Sequence, residues 1–285
     1  MSRVKEPNYF AEEVRLENFC DTFRSKAERL DPVLQGFLAG PMTDWCSAGP
    51  VARWPDYVKL FSPADRETAI GEASVCYLWS RTAAPNIIAA VAPDARCVIV
   101  LRNPIERAFS QYTHALRFSE RFFTNEHLDA AIHSNSTQFS ELFPFLEFGL
   151  YGQQLERLFE RVPRSNVSIH MYEDFCQDPM DVARRIFEFL SVDPGFVPDF
   201  GQRHMVSRVP RSHGLRRVLK RLGVWQAGSC LLSAGLREAV RDRVFRPRRS
   251  LAMQAGDRAR LAEYYRGDVG KLSALLGRDL RGWLD

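Results

Sequence analysis

The segment that most constrains this chain is Arg96–Leu101, RCVIVL, a near-continuous apolar run that stops abruptly at Arg102-Asn103-Pro104. An apolar run without polar alternation is the mark of a strand buried on both faces, as in a parallel sheet. Pro104 needs no hydrogen bond at the first position of a helix, so it marks a helix start, with the helix expected to reach about Phe118. The alternation recurs downstream. Tyr151–Val162 reads as an amphipathic helix with Leu155, Leu158 and Phe159 apolar, Val167–Tyr172 as a strand, and Asp181–Leu190 as a helix with Val182, Ile186, Phe189 and Leu190 on one side. Asp257–Leu276 reads as a terminal helix whose stripe is Leu261, Tyr264, Tyr265, Leu272 and Leu275. The expected fold class is therefore α/β, a mostly parallel central sheet flanked by helices.

Other stretches are less strongly patterned. Residues 5–35 combine an aromatic patch with an amphipathic helical pattern, and residues 36–63, rich in Gly and Pro, read as irregular structure with short helices. Thr68–Ser74 reads as a short strand, and Asn86–Val91 as a brief helix stopped by Pro93. No boundary divides the chain, so a single domain over 1–285 is expected, with the Arg/Pro-rich stretch 245–250 the best linker candidate.

With 45% apolar and 26% charged residues, the chain reads as globular, not as disordered or collagenous. No apolar run is long enough to span a bilayer, and MSRVKEPNYFAEE has no apolar core of a secretory signal, so stable membrane insertion is not expected and a cytoplasmic location is. The six cysteines form no C-x-x-C pair and the six histidines no H-E-x-x-H, so no metal is expected, and Cys97 reads as a core residue. Net charge is +4, but 13 Lys/Arg fall between Arg203 and Arg249 against two acids, Glu238 and Asp242. That segment suits an anionic partner, which can be phosphate, sulfate, nucleic acid or a lipid surface, or it is a solvated surface face.

The chemistry concentrates at VIVLRNPIERAFSQY, residues 98–112. In open α/β sheets ligands bind beyond the carboxyl ends of strands, and a helix N-terminus offers oriented N–H groups to an anion. Arg102 can add a bidentate fork, or it is a strand-end surface arginine. Ser110 can donate a hydroxyl from the helix, or it is bonded back to a carbonyl.

This string resembles the 3′-phosphate-binding motif of sulfotransferases that use 3′-phosphoadenosine 5′-phosphosulfate (PAPS). Lys5-Glu6-Pro7-Asn8-Tyr9-Phe10 resembles the K-E-P-x-x-F segment of the bacterial and heparan-sulfate-type branch, and Gly71-Glu72-Ala73-Ser74 with Tyr77-Leu78 resembles its next block. Residues 261–284 resemble its C-terminal helix and tail. The resemblance implies a P-loop nucleotide-kinase-like sulfotransferase fold and transfer of a sulfuryl group from PAPS, without metal, to a hydroxyl or amine of a carbohydrate or small-molecule acceptor. It implies Glu6 as general base with Lys5 beside it, Arg102 and Ser110 on the nucleotide's 3′-phosphate, and a basic loop over the cofactor to which Arg208 and Arg211 of SRVPRSHG would belong. Tyr9 and Phe10 line a pocket or belong to the core.

Two departures stand out. Relatives place a strand and a Gly-rich phosphate loop ahead of K-E-P, whereas the first glycine here is Gly36 and no G-x-x-x-x-G-K-[ST] occurs. Either Met1 is an internal methionine or the loop is lost, and the chain as written is expected to turn over weakly or not at all. Ala73 also stands where some polysaccharide-modifying relatives carry Lys, which makes a polyanionic acceptor less expected. The alternatives are a non-catalytic protein binding 3′-phosphoadenosine nucleotides or an acidic glycan on the same scaffold, a P-loop kinase, a basic amphipathic helix at Leu215–Trp225 on a membrane surface, and nucleic-acid binding. The last lacks interleaved stacking aromatics, so no nucleic-acid partner is expected.

Overall fold

The computed structural model of the chain describes residues 1–18, 21–47, 49–91, 94–115, 145–201, 208–210, 245–247 and 252–285. Along them run α1 (Asp21–Ala39), α2 (Trp54–Lys59), α3 (Ala83–Ala90), β1 (Cys97–Leu101), α4 (Pro104–Ala115), α5 (Tyr151–Phe159), β2 (Val167–Met171), α6 (Tyr172–Gln177), α7 (Pro179–Leu190), β3 (Arg208–Pro210), β4 (Phe245–Pro247) and α8 (Ala255–Leu276).

The RCVIVL run forms β1, and β2 lies parallel beside it in the register Cys97↔Val167 through Leu101↔Met171. The fold is α/β, as the alternation implied. Among the described residues β1 has no neighbour on its other edge, and Val98 and Val100, which share one face of the sheet, are exposed, so the burial on both faces expected of this strand is not found among those residues. β3 and β4 form a separate antiparallel pair.

Around β1 and β2 a core collects Leu101, Ile105, Leu146, Leu155, Leu261, Tyr265 and Leu272. α8 binds α5 through backbone caps as well as apolar contact. Asp268 accepts Gly152 N–H at 2.8 Å and Gln153 N–H at 3.0 Å, satisfying donors that the first turn of α5 cannot use itself. The approach demands glycine, because a Cβ at Gly152 would stand 2.7 Å from the Asp268 carbonyl oxygen. A second core lies in the N-terminal third, built on Val4, Phe10, Val14, Leu34, Leu38, Val51, Tyr57 and Ala83. The two meet where Trp79 packs edge-on against Phe148 at 5.2 Å and Arg157 donates to the Trp79 carbonyl at 3.1 Å.

Two local expectations are corrected. Residues 68–74 form no strand: a single cross-chain backbone bond reaches them, from Ser2 N–H to the Gly71 carbonyl at 2.8 Å, and one bond is no ladder. α1 runs through Gly36 to Ala39, into the stretch from residue 36 that was expected to be irregular. Leu34 and Leu38, four apart on one face, are both buried, and that packing overrides local propensity. α7 begins two residues earlier than expected, with Pro179 in its first turn and Asp178 capping it by accepting Asp181 N–H at 2.9 Å.

Candidate active site

At the carboxyl end of β1 the chain turns through Arg102 and Asn103 into α4. Asn103 is buried and acts as the helix cap, its Oδ1 accepting Ile105 N–H at 2.9 Å and Glu106 N–H at 3.2 Å. Its Nδ2 donates to the Trp283 carbonyl at 3.0 Å, which ties the C-terminal tail to this turn. Asn103 N–H goes to Glu173 Oε1 at 3.0 Å, from α6. Pro104 has no N–H, so the donors that the sequence reading offered to an anion are all engaged within the protein. An anion at this turn would have to be held by side chains.

Two side chains are available for that. Arg102 is half-buried, its guanidinium carbon 5.0 Å over the Tyr172 ring, a cation–π contact that holds the group in place. None of the ion pairs among the described residues takes it. Ser110, half-buried, lies eight residues on and about 10 Å along the axis of α4 from Asn103. Its carbonyl accepts the Thr113 hydroxyl at 3.0 Å. No hydrogen bond joins Arg102 to Ser110 among the described residues. Arg107, by contrast, is committed inward, to the Phe145 carbonyl and the Tyr265 hydroxyl.

The second group of polar side chains surrounds Lys5-Glu6-Pro7-Asn8. Val4 pairs with Cys46 in a parallel bridge and Lys5 N–H donates to the Cys46 carbonyl at 2.9 Å, leaving the Lys5 side chain exposed. Glu6 is half-buried, and both Glu6 (φ 54) and Asn8 (φ 53) take the left-handed conformation that residues with a Cβ avoid. Such strain collects at functional sites. Asn8 Nδ2 donates to the Glu6 carbonyl at 2.8 Å, Asn8 N–H donates to Ser74 Oγ at 3.0 Å, and the Cys76 thiol donates to Asn8 Oδ1 at 2.9 Å.

Beneath this turn lies Glu72. It accepts Ser74 Oγ at 2.7 Å and the Tyr77 hydroxyl, and the Tyr57 hydroxyl faces it as well. Burial pushes its carboxyl above the ordinary range; the three hydroxyls pull it down and the Glu6 charge adds to the rise. Burial, then the Glu72 charge, raises the Tyr57 and Tyr77 phenols in turn. Tyr9 stacks on Tyr57 at 4.9 Å and Phe10 is fully in the core.

Of the other residues singled out in the sequence, Arg208 lies in β3 opposite Pro247 of β4, and Arg211 falls outside the described residues, as do Leu215–Trp225 and most of the cationic stretch. Cys97 is half-buried on β1. Among the described residues no group of three or more His, Cys, Asp or Glu could hold a metal ion, and no helix is long and apolar enough to cross a membrane.

Residues 55–196 match the family model described as "Sulfotransferase family". Over those residues the chain is similar to the sulfotransferase family. Human carbohydrate sulfotransferase 15 is 24% identical over 188 residues, 54% of this chain and 33% of that protein. Human heparan sulfate glucosamine 3-O-sulfotransferase 6 is 28% identical over 121 residues, 42% of this chain and 34% of that protein. Each match thus spans about a third of the length of the human relative. The crystal structure of a sulfotransferase from Alicyclobacillus acidocaldarius superposes with a TM-score of 0.67 at 24% identity, covering 100% of this chain and 90% of that one, so the two share a fold.

Sequence reasoning missed two residues of this site. Glu173 carries no pattern that links it to a turn seventy residues earlier. Asn103 did carry one: an asparagine directly before a helix-initiating proline is a cap signal.

Proposed function

We propose that this chain transfers a sulfuryl group from PAPS to a hydroxyl or amine of a carbohydrate or small metabolite. The observation that carries the reading is Arg102: a guanidinium at the carboxyl end of a parallel strand, steadied on Tyr172 and taken by no acid among the described residues. Together with Ser110 it suits the 3′-phosphate of the donor nucleotide, with Arg208 and Arg211 contributing from the basic loop. The human relatives' names, which specify carbohydrate and heparan sulfate acceptors, favour a sugar.

In the transfer the acceptor oxygen or nitrogen attacks sulfur in line. Its bond to sulfur forms as the bridging S–O bond breaks, and that electron pair leaves with 3′-phosphoadenosine 5′-phosphate. Glu6 takes the acceptor's proton, a role for an ionised carboxylate in hydrogen-bond reach of the attacking atom, and exposed Lys5 supplies positive charge beside it. No step needs a metal.

Calorimetric titration with 3′-phosphoadenosine 5′-phosphate tests the reading. Arg102→Ala should weaken binding about 10- to 100-fold, the worth of a charge-assisted contact. Adenosine 5′-phosphate, which lacks the 3′ group, should bind wild type and variant alike. Equal affinity of wild type and Arg102→Ala for the bisphosphate would refute it. Nucleotide binding without sulfate transfer by the wild type would instead identify a non-catalytic nucleotide-binding protein.

A further inference from the structure

Glu6 is held in a backbone conformation that residues with a Cβ avoid, so something must fix the turn that carries it. The hydrogen bonds around Glu72 do this by direction as well as by contact. A serine hydroxyl owns one hydrogen. Ser74 Oγ accepts Asn8 N–H at 3.0 Å, so its own hydrogen goes to Glu72 Oε2, 2.7 Å away. The Tyr77 hydroxyl repeats the arrangement, accepting Phe10 N–H at 3.4 Å and donating to Glu72 Oε1. An ionised carboxylate has no hydrogen and about four acceptor sites, enough for these two hydroxyls and Tyr57. Because it only accepts, it obliges both hydroxyls to turn their lone pairs toward the backbone of residues 8 and 10.

We infer that Glu72 is a positioning residue for Glu6, gripping the Glu6–Phe10 turn through Ser74 on one carboxylate oxygen and Tyr77 on the other. The inference rests on reading Glu6 as the base. A glutamine at 72 presents an amide nitrogen that cannot accept. The hydroxyl that faces this nitrogen can no longer donate to residue 72, so its hydrogen turns elsewhere and its oxygen is no longer held against the backbone N–H it served. Ser74→Ala cuts the link to Asn8 alone, and Tyr77→Phe the link to Phe10 alone.

The test is residue-resolved amide hydrogen exchange on the full chain, with calorimetry of 3′-phosphoadenosine 5′-phosphate and steady-state sulfate transfer alongside. Ser74→Ala should speed exchange at Asn8 about tenfold and spare Phe10, Tyr77→Phe should do the reverse, and Glu72→Gln should speed at least one of the two by as much. The amides of Lys5 and Cys46, bonded to the Cys46 and Arg3 carbonyls, serve as controls and should not change. Glu72→Gln should also lower kcat about tenfold or more while KM for PAPS and the bisphosphate affinity stay within about twofold. Unchanged exchange at both Asn8 and Phe10 in Glu72→Gln overturns the inference, as does loosened exchange with an unchanged kcat. Wild type that fails to bind the bisphosphate counts against the proposed function, and the exchange pattern still decides whether Glu72 grips the turn.

Discussion

Replacing Asn103 by alanine removes three hydrogen bonds that converge on the Arg102 turn. Two are the cap bonds from Ile105 and Glu106, whose joint loss costs about 1 kcal/mol in comparable caps. The third is the bond to the Trp283 carbonyl, worth about 1 kcal/mol, or more if that carbonyl is left unpaired in the core. The expected total is about 2–3 kcal/mol, a large share of the roughly 5–15 kcal/mol that domains possess. For a chain of this size that lowers the melting temperature by about 5–10 °C. Asn103→Ser keeps a cap oxygen but cannot reach Trp283, so it should recover about half of the loss. The freed N–H groups at the start of α4 should also become available to anions, so sulfate should raise the melting temperature of Asn103→Ala more than that of wild type. Thermal and urea denaturation with and without sulfate measure all of this. A loss under about 0.5 kcal/mol in Asn103→Ala, or an Asn103→Ser no better than alanine, would refute the view that the cap holds this turn.

Further outcomes follow from other contacts. Gly152→Ala should cost about 2 kcal/mol or more by urea denaturation, because the added methyl meets the Asp268 backbone and breaks the seam between α5 and α8. Burial raises the Glu13 carboxyl, but hydrogen bonds from Ser80, Arg81 and Thr82 outweigh it and hold its pKa below the ordinary 4.5. A folded-state pKa below the unfolded one gives stability that is present above about pH 4.5 and lost as pH falls through the folded value. Wild type should therefore exceed Glu13→Gln in stability at pH 6, and the gap should close on acidification below pH 4, as urea midpoints at the two pH values will report. Replacing Tyr172 by leucine should weaken bisphosphate binding a few-fold by calorimetry, since the ring holds the Arg102 guanidinium in place.

The parallel pair β1 and β2 was legible because RCVIVL is a near-continuous apolar run closed by Arg102-Asn103-Pro104, and because VSIHMY alternates apolar with polar residues at the period of a strand. The helices around them were legible from apolar spacing, within about two residues at most ends. Residues 68–74 were misjudged because a strand is defined by its neighbour, and nothing local to TAIGEAS says whether a neighbour exists. At the site, Arg102 and Ser110 could be named from one contiguous motif. Glu173 and Glu72 act through residues far away in sequence, on Asn103 and on Asn8 through Ser74, and such pairings exist only once the fold has formed. The helix terminus illustrates the limit in another way. The motif correctly located a set of N–H donors, but only the packed structure shows them already spent on Asn103 and Glu173.

The bond from Asn103 to Trp283 joins positions 180 residues apart. Contacts of such long separation form late, since the intervening chain must be gathered first. During synthesis β1 and the start of α4 leave the ribosome long before residue 283 exists, so the Arg102 turn is finished only when the tail arrives. A nascent chain paused anywhere before that point carries an incomplete Arg102 turn, and chaperone engagement should persist until residue 283 has emerged.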